Sequence, residues 1–183
     1  MSEQIMTPPE VVEYPAGKIV ALNVTADDYM RDYAADYHEW VRGCVIKMSP
    51  VSNTHDEYDG YLYLLLKAYF AHNPIGVVKK APFVMRLDAV GSRREPDLQI
   101  ILKDNPGELT ETAMIGAADI CIEIVSQESV ARDYGDKFAE YEAAGVREYW
   151  LFDPIRQATH FHRLNEDGHY KEQQPDEDGY YST

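Results

Sequence analysis

Three residues place chemically active side chains where a hydrophobic core is expected. Asp97 follows Pro96 at the start of an apolar run, and Glu123 lies inside Ile120-Cys121-Ile122-Glu123-Ile124-Val125. A carboxylate in such a run is costly to desolvate unless a cation meets it. Strand alternation puts Glu123 on the face of Cys121 and Val125, opposite Ile122 and Ile124. If the two runs pair as neighbours, Asp97 and Glu123 approach to about 4–6 Å, where two anions repel by more than about 1 kcal/mol. A divalent cation relieves that repulsion. Hard carboxylate oxygens with open water positions suit Mg²⁺ or Mn²⁺, so Asp97 and Glu123 are the expected metal ligands.

Lys137 is the third residue. It stands four positions after Asp133, a spacing that lets the two meet on one helical face. A lysine reaching back to the metal holds the attacking water or steadies a phosphate in flight, and phosphoryl transfer asks little more of a protein. The competing account is a surface Asp133–Lys137 pair worth roughly a few tenths of a kcal/mol. Around this trio stand further candidates. His55 opens a helical pattern, either as a ligand or phosphate contact or as a solvated helix-start histidine. Ser126 either orients Glu123 by a hydrogen bond or begins a turn. Glu39 and Asp133 are supporting acids. Arg93 and Arg94 are either contacts to a nucleic-acid backbone or residues of a solvated turn.

Several elements must position these groups. Thr25 is an expected N-cap for a short helix, with Asp27 and Asp28 in its first turn. Residues 37–48 read as a hairpin around Arg42-Gly43. Thr54 and Glu57 form a capping box for a helix running to His72. Its expected apolar face is Tyr58, Tyr61, Leu62, Leu65, Leu66 and Tyr69. Strands are expected at 76–87 (bent at Pro82), 97–102, 119–125 and 148–152. A helix over 130–144 precedes the last of these, with Ser129 as N-cap and Gly145 as stop. A hairpin over 159–164 and 169–173 follows. This order indicates a mixed α/β (α+β) domain over residues 25–183, a mixed central sheet flanked by helices with N- and C-terminal β-hairpins. Residues 1–24, with Pro8-Pro9 and Pro15-Ala16-Gly17, read as a loosely held extension.

Composition narrows the function. At 183 residues and 45% hydrophobic, the chain can bury one domain's core. No apolar stretch approaches the roughly 20 residues that cross a bilayer, and residues 1–10 lack the basic and apolar regions of a signal peptide. Cys44 and Cys121 are expected as reduced thiols, which points to the cytoplasm. The net charge of −15 argues against coating nucleic acid by charge alone. Six basic residues between Lys79 and Lys103 leave room for a locally basic face, or for scattered solvated charges.

The sequence resembles a known family. Glu95-Pro96-Asp97, the block Ala118-Asp119-Ile120-Cys121-Ile122-Glu123-Ile124-Val125-Ser126, Asp133 with Lys137, and Gly145-Val146-Arg147-Glu148-Tyr149-Trp150-Leu151-Phe152-Asp153-Pro154 are similar to the Uma-two family of the PD-(D/E)XK nuclease superfamily. Glu39-Trp40-Val41-Arg42-Gly43, Met48-Ser49-Pro50 and His55 resemble its N-terminal block. The resemblance implies a restriction-endonuclease-like fold, Asp97 and Glu123 as ligands of Mg²⁺ or Mn²⁺, DNA as the nucleic-acid partner and a homodimer. Val125 stands where the superfamily places a lysine, and the family pattern implies Lys137 as its substitute. Two other readings stay open: an inert module on the same fold, and a hydrolase of another phosphoester.

Overall fold

The computed structural model describes residues 18–182, so most of the expected 1–24 extension lies outside the described residues. Its last part carries β1 (Lys18–Ala21). Thr25 caps α1 (Ala26–Asp32) as expected, its hydroxyl accepting from the Asp28 amide at 3.1 Å. β2 (His38–Val41) and β3 (Cys44–Lys47) form the expected hairpin. Arg42 and Gly43 at its tip both have positive φ (48° and 89°), the two-residue turn that matches strand twist.

α2 (Asn53–His72) begins earlier than its expected capping box. Ser52, still extended, accepts from the His55 amide, so Thr54 is already helical. The helix also presents a different face from the one expected. Leu62, Tyr63, Leu66 and Phe70 pack on the sheet, while Tyr61 is 68% exposed and Leu65 54%. The reason is that the buried stripe starts with two polar residues, His55 and Asp59, which continue through Leu62 and Leu66 at helical spacing. Counting only apolar residues sets the phase wrongly.

The expected strand at 76–87 is two strands. β4 (Gly76–Lys80) and β5 (Val84–Leu87) flank a cis Ala81–Pro82 bond and join different sheets. Pro82 has no N–H to continue the ladder, which explains the break. β6 (Ser92–Arg94), β7 (Leu98–Leu102), β8 (Glu108–Leu109), β9 (Ala113–Ile115) and β10 (Ile120–Ile124) follow. Of these, β6, β8 and β9 were not expected, being too short for alternation to register. A π turn (Arg132–Asp136) leads into α3 (Lys137–Ala144), which stops at left-handed Gly145. β11 (Glu148–Asp153), β12 (Ala158–Leu164) and β13 (Tyr170–Glu172) complete the order.

Two sheets result, where one central sheet was expected. The first runs β1-β3-β2-β6-β5-β9-β8 and the second β13-β12-β11-β10-β7-β4. In the second, β10 and β11 are parallel, joined by the crossover through α3, and the other pairs are antiparallel. α2 covers one face, on Leu98, Ile100 and Ile122. Cys121, Tyr149 and Leu151 on the other face meet Tyr141 of α3 and Met85 and Met114 of the first sheet. Both cysteines are free. Among the described residues no helix is long and apolar enough to cross a membrane.

The packing predicts a contrast in stability. Ile122→Ala should cost about 2–5 kcal/mol by opening a cavity under α2. Tyr61→Ala, on the outward face of the same helix, should shift stability by no more than about 0.5 kcal/mol. Urea unfolding of the two variants checks both, and equal losses would restore the face expected from the sequence.

Candidate active site

The register of the second sheet decides where the carboxylates go. β10 runs antiparallel to β7 with Ile122 opposite Leu98, which sets Glu123 beside Asp97, one residue before β7. Because Ile122 faces α2, Glu123 turns to the opposite face, under α3. The two strands are tied at this point: the Ile124 amide donates to Asp97 Oδ2 at 2.7 Å. His55 reaches the same oxygen from α2, with Nε2 at 3.0 Å. His55 is thus buried against Asp97 and is not a solvated helix start.

The π turn delivers Lys137. A π turn widens the helix and rotates the residues after it, a feature common at functional positions. Lys137 is almost fully buried, and its Nζ lies 2.7 Å from Glu123 Oε2, 3.4 Å from Glu39 Oε1 and 3.8 Å from Asp133 Oδ1. It is no surface ion pair. Asp133 and Glu39 are buried with it. Tyr141 of α3 donates to Glu123 Oε1 at 2.8 Å, and this is the hydroxyl that orients Glu123. Ser126 does not do so: its hydroxyl bonds Ser129 Oγ at 3.1 Å in the turn after β10.

Arg93 and Arg94 are turned inward. Arg94 is fully buried, its guanidinium forked onto Glu140 (2.7 and 2.9 Å) and bonded to Glu39 at 2.8 Å. Arg93 bonds Asp88 and stacks over Trp40. Lys80 is likewise paired with Asp59 at 2.6 Å. Three of the six bases between Lys79 and Lys103 are therefore taken up by acids of the protein itself. The β6 strand explains this, since it carries Arg93 and Arg94 between β2 and β5.

These side chains line a cleft that opens beside β2, α2 and the start of the 130–144 helix. Six carboxylates face it (Glu39, Glu95, Asp97, Glu123, Glu128, Asp133), with His55, Arg132 and Lys137 as the cations. Glu95 and Arg132 carry no signal in strand or helix periodicity. The one signal that could have found them is adjacency to Asp97 and Asp133. Crowded burial shows in the acidities. Burial raises Glu123, and the nearby Asp97, Asp133 and Glu39 add to it against Lys137. Burial, with the charge of Glu39, pushes Glu95 up to about 8. Burial would lower Lys137, but Glu123, Glu39 and Asp133 outweigh it and hold it charged. His55 is raised likewise, Asp97 overcoming the effect of burial.

The donor set fits a hard divalent cation. Oxygens of Glu95 (Oε2) and Asp133 (Oδ1) in the cleft are buried with no hydrogen-bond partner. Among the described residues no group of three His, Cys, Asp or Glu side chains is arranged to hold an ion. A cation here would therefore rely on Asp97 and Glu123 and complete its coordination with water, as Mg²⁺ commonly does.

A family model described as putative restriction endonuclease, Uma2, matches residues 26–181. The chain belongs to this family. Its fold is similar to the crystal structure of a putative nuclease belonging to DUF820 from Anabaena variabilis, with a TM-score of 0.66 and 15% identity. The match covers 81% of this chain and 83% of that one. No curated protein matches. The likeness of fold supports the nuclease-like architecture read from the Uma2 motifs.

Glu39 links the cleft to the first sheet, and its loss should be severe. Glu39→Gln leaves Arg94 and Lys137 facing each other without their shared anion and should cost about 3–5 kcal/mol. Burial alone would raise Glu39, but Lys137, Arg94 and Arg132 outweigh it and depress its pKa far below the ordinary 4.5. Its contribution is present above 4.5 and is lost as the pH falls toward the depressed value. Thermal melts from pH 7 down to pH 3 should show a shallower acid loss in the variant than in wild type.

Proposed function

We propose that this Uma2 protein is a metal-dependent endonuclease hydrolysing DNA phosphodiester bonds. The observation that carries the reading is the placement of Asp97, one residue before β7, beside Glu123 of β10, with a buried Lys137 on Glu123. Bound between the two carboxylates, Mg²⁺ or Mn²⁺ would supply Lewis acidity toward the phosphate and acidify a coordinated water. The protein's own groups set up that chemistry. His55 and the Ile124 amide fix Asp97 through Oδ2 alone. Tyr141 and Lys137 fix Glu123. Lys137, held charged, orients the attacking water or offsets charge on the phosphoryl oxygens, the role a lysine on the Glu123 strand would otherwise take. Donors already ordered by these contacts cost little reorganisation during reaction.

The same reading includes a cytoplasmic location, in keeping with two free cysteines, and a homodimer. One observation favours the alternative, an inert module: both Glu123 oxygens are already engaged, by Lys137 and Tyr141.

Incubation of plasmid DNA with Mg²⁺ or Mn²⁺ should give nicked and linear products. Asp97→Ala and Glu123→Ala should each reduce the rate by at least about a hundredfold. Equal activity in all three proteins would trace the cleavage to a contaminant and end the assignment. Calorimetric titration with Mn²⁺ separates the inert module, which would release or absorb no binding heat at millimolar ion.

A further inference from the structure

Every other cation near the cleft is engaged by an acid. Lys137 sits on Glu123, Arg94 on Glu39 and Glu140, Arg93 on Asp88, and His55 on Asp97. Arg132 differs. Its side chain lines the cleft and is only 10% exposed, yet its nearest acid contact is Nε to Asp133 Oδ1 at 3.8 Å, too long for a hydrogen bond. Nε is buried with no hydrogen-bond partner; Nε of Arg93 is too, but Arg93 has its Asp88 bond, whereas Arg132 has no acid within hydrogen-bond distance. A buried donor left unpaired is costly, and native structures keep few of them without a reason. Asp133 does not supply the reason, because it is also 3.8 Å from Lys137 and has an orphaned oxygen of its own.

The cleft needs an anion-holding group. With six carboxylates facing it, a phosphodiester meets repulsion on most sides, and neutralisation of the two metal-ligating acids does not by itself attract it. A guanidinium fork matches two phosphate oxygens in one plane, which an ammonium does not. Arg132 opens the π turn whose far end delivers Lys137, so one distortion of the helix sets both cations. We propose that Arg132 is the substrate-binding residue that holds the scissile phosphate in this cleft. The assignment rests on the nuclease reading for its substrate class and, for the residue, on a buried arginine in the cleft that has no acid within hydrogen-bond distance.

The test uses a fluorescent 20-base-pair DNA duplex, with binding read by anisotropy in Ca²⁺ at several salt concentrations and strand integrity checked on a gel. Arg132→Gln should bind about tenfold more weakly and lose about one unit of salt slope, whatever the DNA sequence. Arg132→Lys should keep the slope but not the full affinity. Thermal melts of both variants report folding independently. Wild-type affinity and slope in folded Arg132→Gln would overturn the proposal, as would a wild-type protein that binds no duplex. Cleavage of the same duplex in Mg²⁺ separates the two readings. Cleavage by wild type with no effect of Arg132→Gln on binding removes Arg132 alone. Binding that depends on Arg132 without any cleavage removes the nuclease and leaves Arg132 as a phosphate-holding group.

Discussion

A single buried ammonium holds the centre of this protein together. Lys137 lies between Glu123, Glu39 and Asp133, groups from β10, β2 and the start of the 130–144 helix. Without it, three carboxylates would be buried together, each at a desolvation cost of several kcal/mol. With it, the second sheet, the first sheet and α3 are fastened at one point. Arg94 repeats the device one layer out, joining Glu39 on β2 to Glu140 on α3. Such ion pairs add little net stability compared with apolar packing, but they permit only one arrangement of the elements. That fits a site in which small errors of position matter.

The centre is over-supplied with acid even so. Glu123 and Glu95 are pushed upward by burial, and cleft oxygens of Glu95 and Asp133 lack partners. Each is a strain that a bound dication would relieve. Near the site the bases are taken up by neighbouring acids, Lys80 by Asp59, Arg93 by Asp88, and Arg94 by Glu39 and Glu140. A protein built this way draws little on long-range attraction to a polyanion, so contact with a phosphate has to be made by few groups at short range.

Much of the site was legible before any coordinates. Glu123 announced itself as a carboxylate inside an apolar strand, and alternation assigned it to the face of Cys121 and Val125, where it lies. Asp97 after Pro96 followed from the same logic, whereas the Asp133–Lys137 spacing left a surface pair and a site lysine both open. What misled was the reading of polar residues as outward. Arg93 and Arg94 look like a solvated turn because β6 is only three residues long and its partners, β2 and β5, are distant in sequence. The face of α2 was misjudged for the converse reason: His55 and Asp59 belong to the buried stripe, and a count of apolar residues passes over them.

The sequence by itself determined which side chains must be desolvated together, because strand periodicity forces a buried carboxylate to seek a cation. It also placed one helix between the strands of Glu123 and Tyr149; that those strands pair in parallel came from the structure. Tertiary structure alone decided which cation is spent and which is spare. Lys137, Arg94 and Arg132 carry the same charge in the sequence. The π turn and the packing of the first sheet bring two of them onto acids and leave the third facing the cleft. No local pattern encodes that outcome, since it depends on distances of a few ångströms between elements up to about a hundred residues apart.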